Sequence, residues 1–321
     1  MPTPLGGGGA LPQRRRWSLE SLFKGMSTGA GLTVLVIIVA IAAFLIAKAI
    51  PAINADQANF LTYKNWTPDN AHPQFGIAAI AFGTVVTAAI SILLAVPVAV
   101  AIALCLTHYA PKRVASVLGF TIDLLAAVPS IVFGLWGRDY LVQPVAGLSA
   151  WLHKYFGWIP IFGGDGPYGK SILLGSFVLG IMILPIVTAL SRDVFAQTPA
   201  MNEEAALALG ATKWEMIRTS VLPYGRPGLI AATMLGLGRA LGETMALALT
   251  LGSTFIISPD ILQNGGNTIA ANIVHQFAEA SPLGRGALIA SGLVLFAITL
   301  IVNVAARIII YRRREFRGSA A

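Results

Sequence analysis

From Asn70 to Pro111 the chain carries no Asp, Glu, Lys or Arg. A helix crossing the hydrocarbon of a bilayer needs ~20 mostly apolar residues, so this run holds a complete crossing. It has company. Another 23 uncharged residues lie between Lys24 and Lys48. Hydrophobic residues make up 56% of the 321 and charged residues only 11%, less than half the ~25% usual in globular chains. Too few polar residues remain to cover the outside of a water-soluble fold. Disorder is excluded by the same balance. The single Cys105 cannot form an internal disulfide. The reading is an all-α membrane protein, since barrel strands would be ~10 residues of alternating polarity.

Six spans are expected, at about 28–50, 77–106, 114–135, 171–190, 228–257 and 287–310. They make up a membrane domain over residues 28–311. It is flanked by a flexible basic tail (1–27) and a short basic C-terminal tail (312–321). The net charge of +8 could suggest nucleic acid. Its location argues instead for topology, with membrane lipid as the surroundings and no nucleic-acid partner. With the N-terminus inside, the inner segments hold 15 Lys and Arg and the outer segments 6. Arg307 is counted among the inner ones. Both termini are therefore placed in the cytoplasm. The first apolar run exceeds the 7–15 residues of a signal-peptide core, so it reads as an uncleaved anchor.

Gly164 to Ser171 fits the phosphate-loop pattern G-x-x-x-x-G-K-[ST]. That pattern needs a preceding strand, and here Pro167 also removes one N–H from the cradle. A turn-rich outer loop, with Lys170 at a helix end, is the expectation. The four histidines show no metal-ligand spacing.

Two stretches carry more information. Between the fourth and fifth spans, residues 191–227 form an inner loop that reads as two short helices. Thr198 is expected to cap the first, with Pro199 at its first position. Gly210 is expected to stop it in a left-handed C-terminal cap. Thr212 to Glu215 is a capping box opening a second helix, expected to end near Leu222-Pro223. Leu207, Leu209 and Trp214 would be presented at the surface, suiting either a support for the bundle or a docking element.

Within the fifth span lie Arg239 and Glu243. Ionisable groups in lipid cost roughly 2.5–3.5 kcal/mol each on insertion scales, so both should face the bundle interior. Four residues apart, they share a helix face and can pair. One reading is an ion pair that fixes packing. The other is a positive site for an anion, since a guanidinium fork matches two oxygens of a tetrahedral oxyanion. In the third span Ser130 follows Pro129, where a kink frees a carbonyl. Thr244 adjoins Glu243. Asp123 is expected to neutralise a neighbour or cap a helix, and Asn303 to bond between helices.

These residues carry a resemblance. Glu204-Ala205-Ala206-x-x-x-Gly210, followed by Leu222-Pro223, resembles the EAA loop of ABC importer permeases. Gly238 to Ala246 resembles the Gly-Arg-Ala-x-Gly-Glu-Thr-Met-Ala segment of phosphate ABC importer permeases. Pro129-Ser130 with Gly134-Leu135 is similar to a second segment of that family. The long outer loop and basic N-terminus resemble the PstC type. The resemblance implies a type I ABC importer permease fold and phosphate import. It implies a PstA-type permease partner, a PstB-type ATPase dimer docked through Glu204, Ala205, Ala206, Gly210, Leu222 and Pro223, and a PstS-type phosphate-binding protein. It also implies a substrate pathway at Arg239 and Glu243, to which the reading of the residues adds Ser130 and Thr244. No cofactor is expected on this chain, because ATP is bound by the ATPase. An intramembrane enzyme would need a nucleophile–base or metal constellation that the sequence lacks. A stand-alone channel or secondary transporter fits poorly with the large inner loop.

Overall fold

The structure is a computed structural model that describes residues 19–318, with side chains for residues 21–308. Most of the expected N-terminal tail, including Arg14 to Arg16, lies outside the described residues. So do the side chains of Arg312, Arg313, Arg314 and Arg317. Contacts divide the chain into two units, Met1–Ala47 and Lys48–Ala321. The described part of the first is helical. It belongs to α1 (Leu19–Ala55), which continues into the second unit.

The second unit is a helical bundle. A small ladder, β1 (Trp66–Thr67) with β2 (Gln74–Phe75), precedes α2 (Ala78–Leu104). Next come α3 (Lys112–Ala126), α4 (Ser130–Trp136) and α5 (Val142–Phe156). Then α6 (Ile172–Ala196) leads to the short α7 (Ala200–Ala208) and α8 (Lys213–Met216). The last part holds α9 (Leu222–Gly242), α10 (Met245–Thr250), α11 (Ile269–Gln276) and α12 (Pro282–Gly318).

Among the described residues, four helices are long and apolar enough to cross a membrane: Ser21–Ala55, Ala78–Tyr109, Ile172–Ala196 and Pro282–Ile308. A fifth crossing is reached if the bent pair Lys112–Ala126 and Ser130–Phe156 counts as one. The third expected span is therefore not one straight helix. It bends by 90° between the two parts. Pro129, extended at ψ 138, caps α4 and forbids the helical course of α3 from continuing. The expected fifth span, 228–257, is also interrupted. Its helix stops at Gly242, resumes for six residues and gives way to irregular chain after Thr250.

The core is layered along the bundle. At one end Trp66, Phe75, Ile77 and Ile80 pack with Ile269 and Leu288. In the middle Leu179, Met182 and Ile183 of α6 meet Leu241, Leu247 and Leu251, with Ile298 and Val302 of α12 against them. At the other end Phe195 packs with Met216, Ile217 and Val221. α9 runs antiparallel to α6: a Cβ on Gly236 would lie 2.8 Å from Val187, and one on Gly228 2.5 Å from Val194. Small residues on α2, namely Ala88, Ser91, Ala95 and Ala99, are buried where it meets α6. Ser171 opens α6, its Oγ accepting from Leu174 N at 3.3 Å. The phosphate-loop lookalike thus ends in an ordinary helix cap, and a 3₁₀ turn (Pro160–Phe162), not a strand, comes before it.

Candidate functional site

Two features stand out: the loop between α6 and α9, and the break between α9 and α10. In the loop, Pro199 rather than Thr198 is the N-cap of α7. Thr198 is claimed by the preceding turn, its N–H donating to Phe195 O at 3.2 Å, and its buried Oγ1 has no hydrogen-bond partner among the described residues. The expected cap is corrected by one residue for that reason. Gly210 does end the helix, at φ +85. Gly210 N donates to Leu207 O and Ala211 N to Ala206 O, at 2.9 and 3.2 Å, which closes a Schellman turn. The capping box also forms. Thr212 N donates to Glu215 Oε2 at 2.8 Å and Glu215 N to Thr212 Oγ1 at 3.3 Å. The Thr212 backbone bond, then its hydroxyl, holds the Glu215 carboxyl below the usual carboxylate range.

The loop is tied to the end of α2, where Cys105–Tyr109 forms a π turn. His108 Nε2 lies 3.5 Å from Glu203, and Lys213 Nζ sits 4.9 Å over the Tyr109 ring. Ala206 faces inward onto the Phe195 cluster, while Glu204 and Ala205 are exposed. So are Met201, Leu207, Trp214 and Leu209, the last at 90%. The second loop helix does not end near Leu222-Pro223. It passes through a π turn, Ile217–Val221, straight into α9. Shifting the hydrogen-bond register there lets Pro223, which has no N–H, stand in a continuous helical course.

At the break, Glu243 is extended (φ −69, ψ 130) and buried. Its Oε1 accepts from Ala246 N, in the first turn of α10, at 3.3 Å, while Thr244 is the N-cap of that helix. Thr244 Oγ1 donates to Gly242 O at 3.2 Å. The expected Arg239–Glu243 pair is not formed. The chain turns at Glu243, so the i,i+4 geometry is lost, and Arg239 makes no ion pair among the described residues. Its side chain is exposed on the described unit and lines a recess of about 1070 Å³ between α9 and α12.

Ser130 is brought to the level of this break by packing that the sequence does not advertise. A Cβ on Gly134 would lie 2.9 Å from Ala246 Cα, and one on Gly137 3.2 Å from Thr250 Cγ2. α4 and α10 thus run side by side in the same direction, starting at Ser130 and Met245. Gly134→Val is expected to wedge them apart, at about 1–3 kcal/mol for an overpacked contact. A lower melting temperature of the detergent-purified chain checks it, with Gly134→Ala intermediate. Asp123 does neutralise a neighbour: Arg192 Nη2 lies 3.5 Å from its carboxylate. Asn303 makes no hydrogen bond between helices among the described residues. It lines the recess, as does Arg307, which sequence reading counted only as an orientation charge. The signal was available in their spacing, four apart in an apolar helix.

The family described as "Binding-protein-dependent transport system inner membrane component" matches residues 95–315. The chain belongs to this family. It is a membrane-spanning permease subunit of a multi-pass transport system, not itself an enzyme. A curated relative in Mycobacterium tuberculosis, "Phosphate transport system permease protein PstC 2", is 46% identical over 295 residues, covering 90% of this permease and 91% of that protein. PstC of Mycobacterium leprae is 43% identical over 313 residues, 96% and 97% of the two chains. Among solved structures, a chain of a bacterial ABC transporter involved in alginate import aligns with TM-score 0.53. It is 16% identical, and the match covers 89% of this permease and 98% of that chain. A chain of the MetNI methionine ABC transporter aligns with TM-score 0.51 at 14% identity, covering 73% and 95%. The fold is that of type I ABC importer permeases.

Proposed function

We propose that this permease carries inorganic phosphate through an ATP-driven importer, along a path that includes Arg239. The observation that carries the reading is Arg239 itself: a guanidinium without an ion-pair partner among the described residues, set in a wide recess otherwise lined largely by apolar side chains. Such a group lowers the cost of an oxyanion in hydrocarbon, and its fork matches two phosphate oxygens. The relatives named for phosphate transport support the choice of anion. Glu243 shapes the path by holding the break open for α10, with Thr244 and Ser130 beside it.

The recess is open on the described unit, and a PstA-type permease chain is the partner that closes it. Six crossings result if α3 with α4–α5, and α9 with α10, each count as one. Both termini are then cytoplasmic. The loop from Glu204, Ala205 and Ala206 to Gly210 is the seat of a PstB-type ATPase dimer, and Leu222 and Pro223 lead from it into α9. A PstS-type binding protein delivers phosphate at the opposite face. The ATPase drives transport by favouring one of two arrangements of the bundle, each open to one side.

The test is reconstitution of the complete importer in vesicles. Phosphate uptake should need ATP, and sulfate should not replace phosphate. Uptake without ATPase would sink the reading. Lys213→Glu loses the stacking on Tyr109 and places an acid at the rim of the docking surface. It should weaken ATPase binding by about three- to tenfold without abolishing it, as rim charges do. Co-purification of the ATPase at graded salt measures this.

A further inference from the structure

Arg239 shares its recess with a second guanidinium, that of Arg307. The layering of the core fixes their order. Ile298 and Val302 of α12 pack at the level of Leu237 and Leu241. The earlier part of α12, Leu288 to Leu295, packs at the far end with Ile77 and Ile80. α12 therefore descends toward the loop as its numbering rises, whereas α9 descends as its numbering falls. Arg239 marks the upper end of the recess. Arg307 lies below it, level with Ala231 to Met234, nearer the loop. From Ala231 to Arg239 is about 12 Å of helix axis, eight residues at 1.5 Å each.

Asn303 lies one helical turn above Arg307 on the same wall, and its side chain is free of other hydrogen bonds among the described residues. Among the described side chains no acid lines the recess. Arg307 is thus uncompensated there, in a wall otherwise built of Ile186, Leu235, Leu300 and other apolar side chains. An uncompensated arginine, with a free amide four residues away, suits an oxyanion with several acceptor oxygens.

We propose that Arg307, assisted by Asn303, is a second station for a phosphate oxyanion, at the loop end of the recess, from which the anion leaves after Arg239. This rests on the reading of the recess as the substrate path. The same chemistry would hold the headgroup of an anionic phospholipid, so the experiment separates the two sources.

The complete importer is reconstituted in vesicles of phosphatidylcholine alone and of phosphatidylcholine with phosphatidylglycerol. Phosphate uptake is followed for wild type, Arg239→Ala, Arg307→Gln, Arg307→Lys and Asn303→Asp. Arg307→Gln should slow the maximal rate about tenfold, the worth of one charge-assisted contact. It should leave half-saturation by external phosphate within about twofold, because loading occurs elsewhere. Arg307→Lys should recover most of the rate. Asn303→Asp, which adds a competing carboxylate beside Arg307, should lose as much as Arg307→Gln. Phosphate preloaded at the loop side should slow wild type but not Arg307→Gln. The deficit should be equal in both lipids.

A normal rate in Arg307→Gln, with Arg239→Ala inactive, overturns this proposal alone. A deficit seen only with phosphatidylglycerol assigns Arg307 to lipid and overturns it too. Normal uptake by Arg239→Ala removes the substrate-path reading and this inference with it. If Arg307→Gln does not assemble, Asn303→Asp decides, and a normal rate there counts against the station.

Discussion

Arg239→Ala is expected to cut ATP-driven phosphate uptake by about a hundredfold or more, the 2–5 kcal/mol typical of losing one partner of a desolvated charge contact. Assembly should survive. Arg239 makes no ion pair among the described residues and its side chain is exposed on the described unit, so removing it leaves no internal partner orphaned. That combination distinguishes a path residue from a structural one. A packing arginine would take the complex down with it. Arg239→Lys keeps the charge but loses the fork, so its rate should fall between the two. The measurement is labelled-phosphate uptake normalised to the amount of co-purified complex. Full uptake by the alanine variant would remove Arg239 from the path.

Gly210→Leu should uncouple the importer. The position sits at φ +85, where a side chain costs about 1–2 kcal/mol. A Cβ there meets nothing within 4 Å, so the penalty is conformational rather than a clash inside the chain. The damage is to shape. Without the left-handed turn, the paired bonds to Ala206 and Leu207 are lost, and the exposed Leu209 and Trp214 on either side of it change their relative placement. ATPase activity stimulated by the phosphate-loaded binding protein should drop about tenfold or more, since misplacing a buried interface anchor costs 2 kcal/mol or more. Gly210→Asn, which tolerates the left-handed region, should retain most of it. If leucine and asparagine behave alike, the turn is not what the ATPase reads. Glu204→Lys, exposed and clear of the fold's own core, should uncouple without unfolding.

What could be read from sequence follows the range of the forces involved. The capping box at Thr212 and Glu215 and the stop at Gly210 were legible because both are closed by neighbours within a few residues. The long spans were legible because hydropathy needs no partner. The break at Glu243 was not. Leu241 to Ala246 contains no proline and reads as uninterrupted helix. The turn there depends on the Glu243 carboxylate accepting the Ala246 N–H at the start of α10, and on Gly134 of a distant helix leaving room for Ala246. The Arg239–Glu243 pair failed for the same reason, since its spacing argument assumed the helix that the break removes. Thr198 was misread because the end of α6 competes for it. Arg307 was counted in a charge balance when its position in three dimensions gives it a wall to line. At the candidate site, then, Arg239, Glu243 and the loop are singled out by local pattern, while their arrangement requires the fold.

The uninterrupted helical course from Lys213 through the π turn to Gly242 makes a drive shaft of the segment between loop and recess. A twist applied at its base would reach the guanidinium through helical turns, which resist torsion better than a coil, with Pro223 and Pro227 each withholding one N–H from the ladder. The π turn is the one coupling in that shaft that stores a surplus residue. Taking up that residue would swing everything above it by about 100°, the angle between successive helical positions. A change of register at the π turn would therefore alter which way Arg239 points.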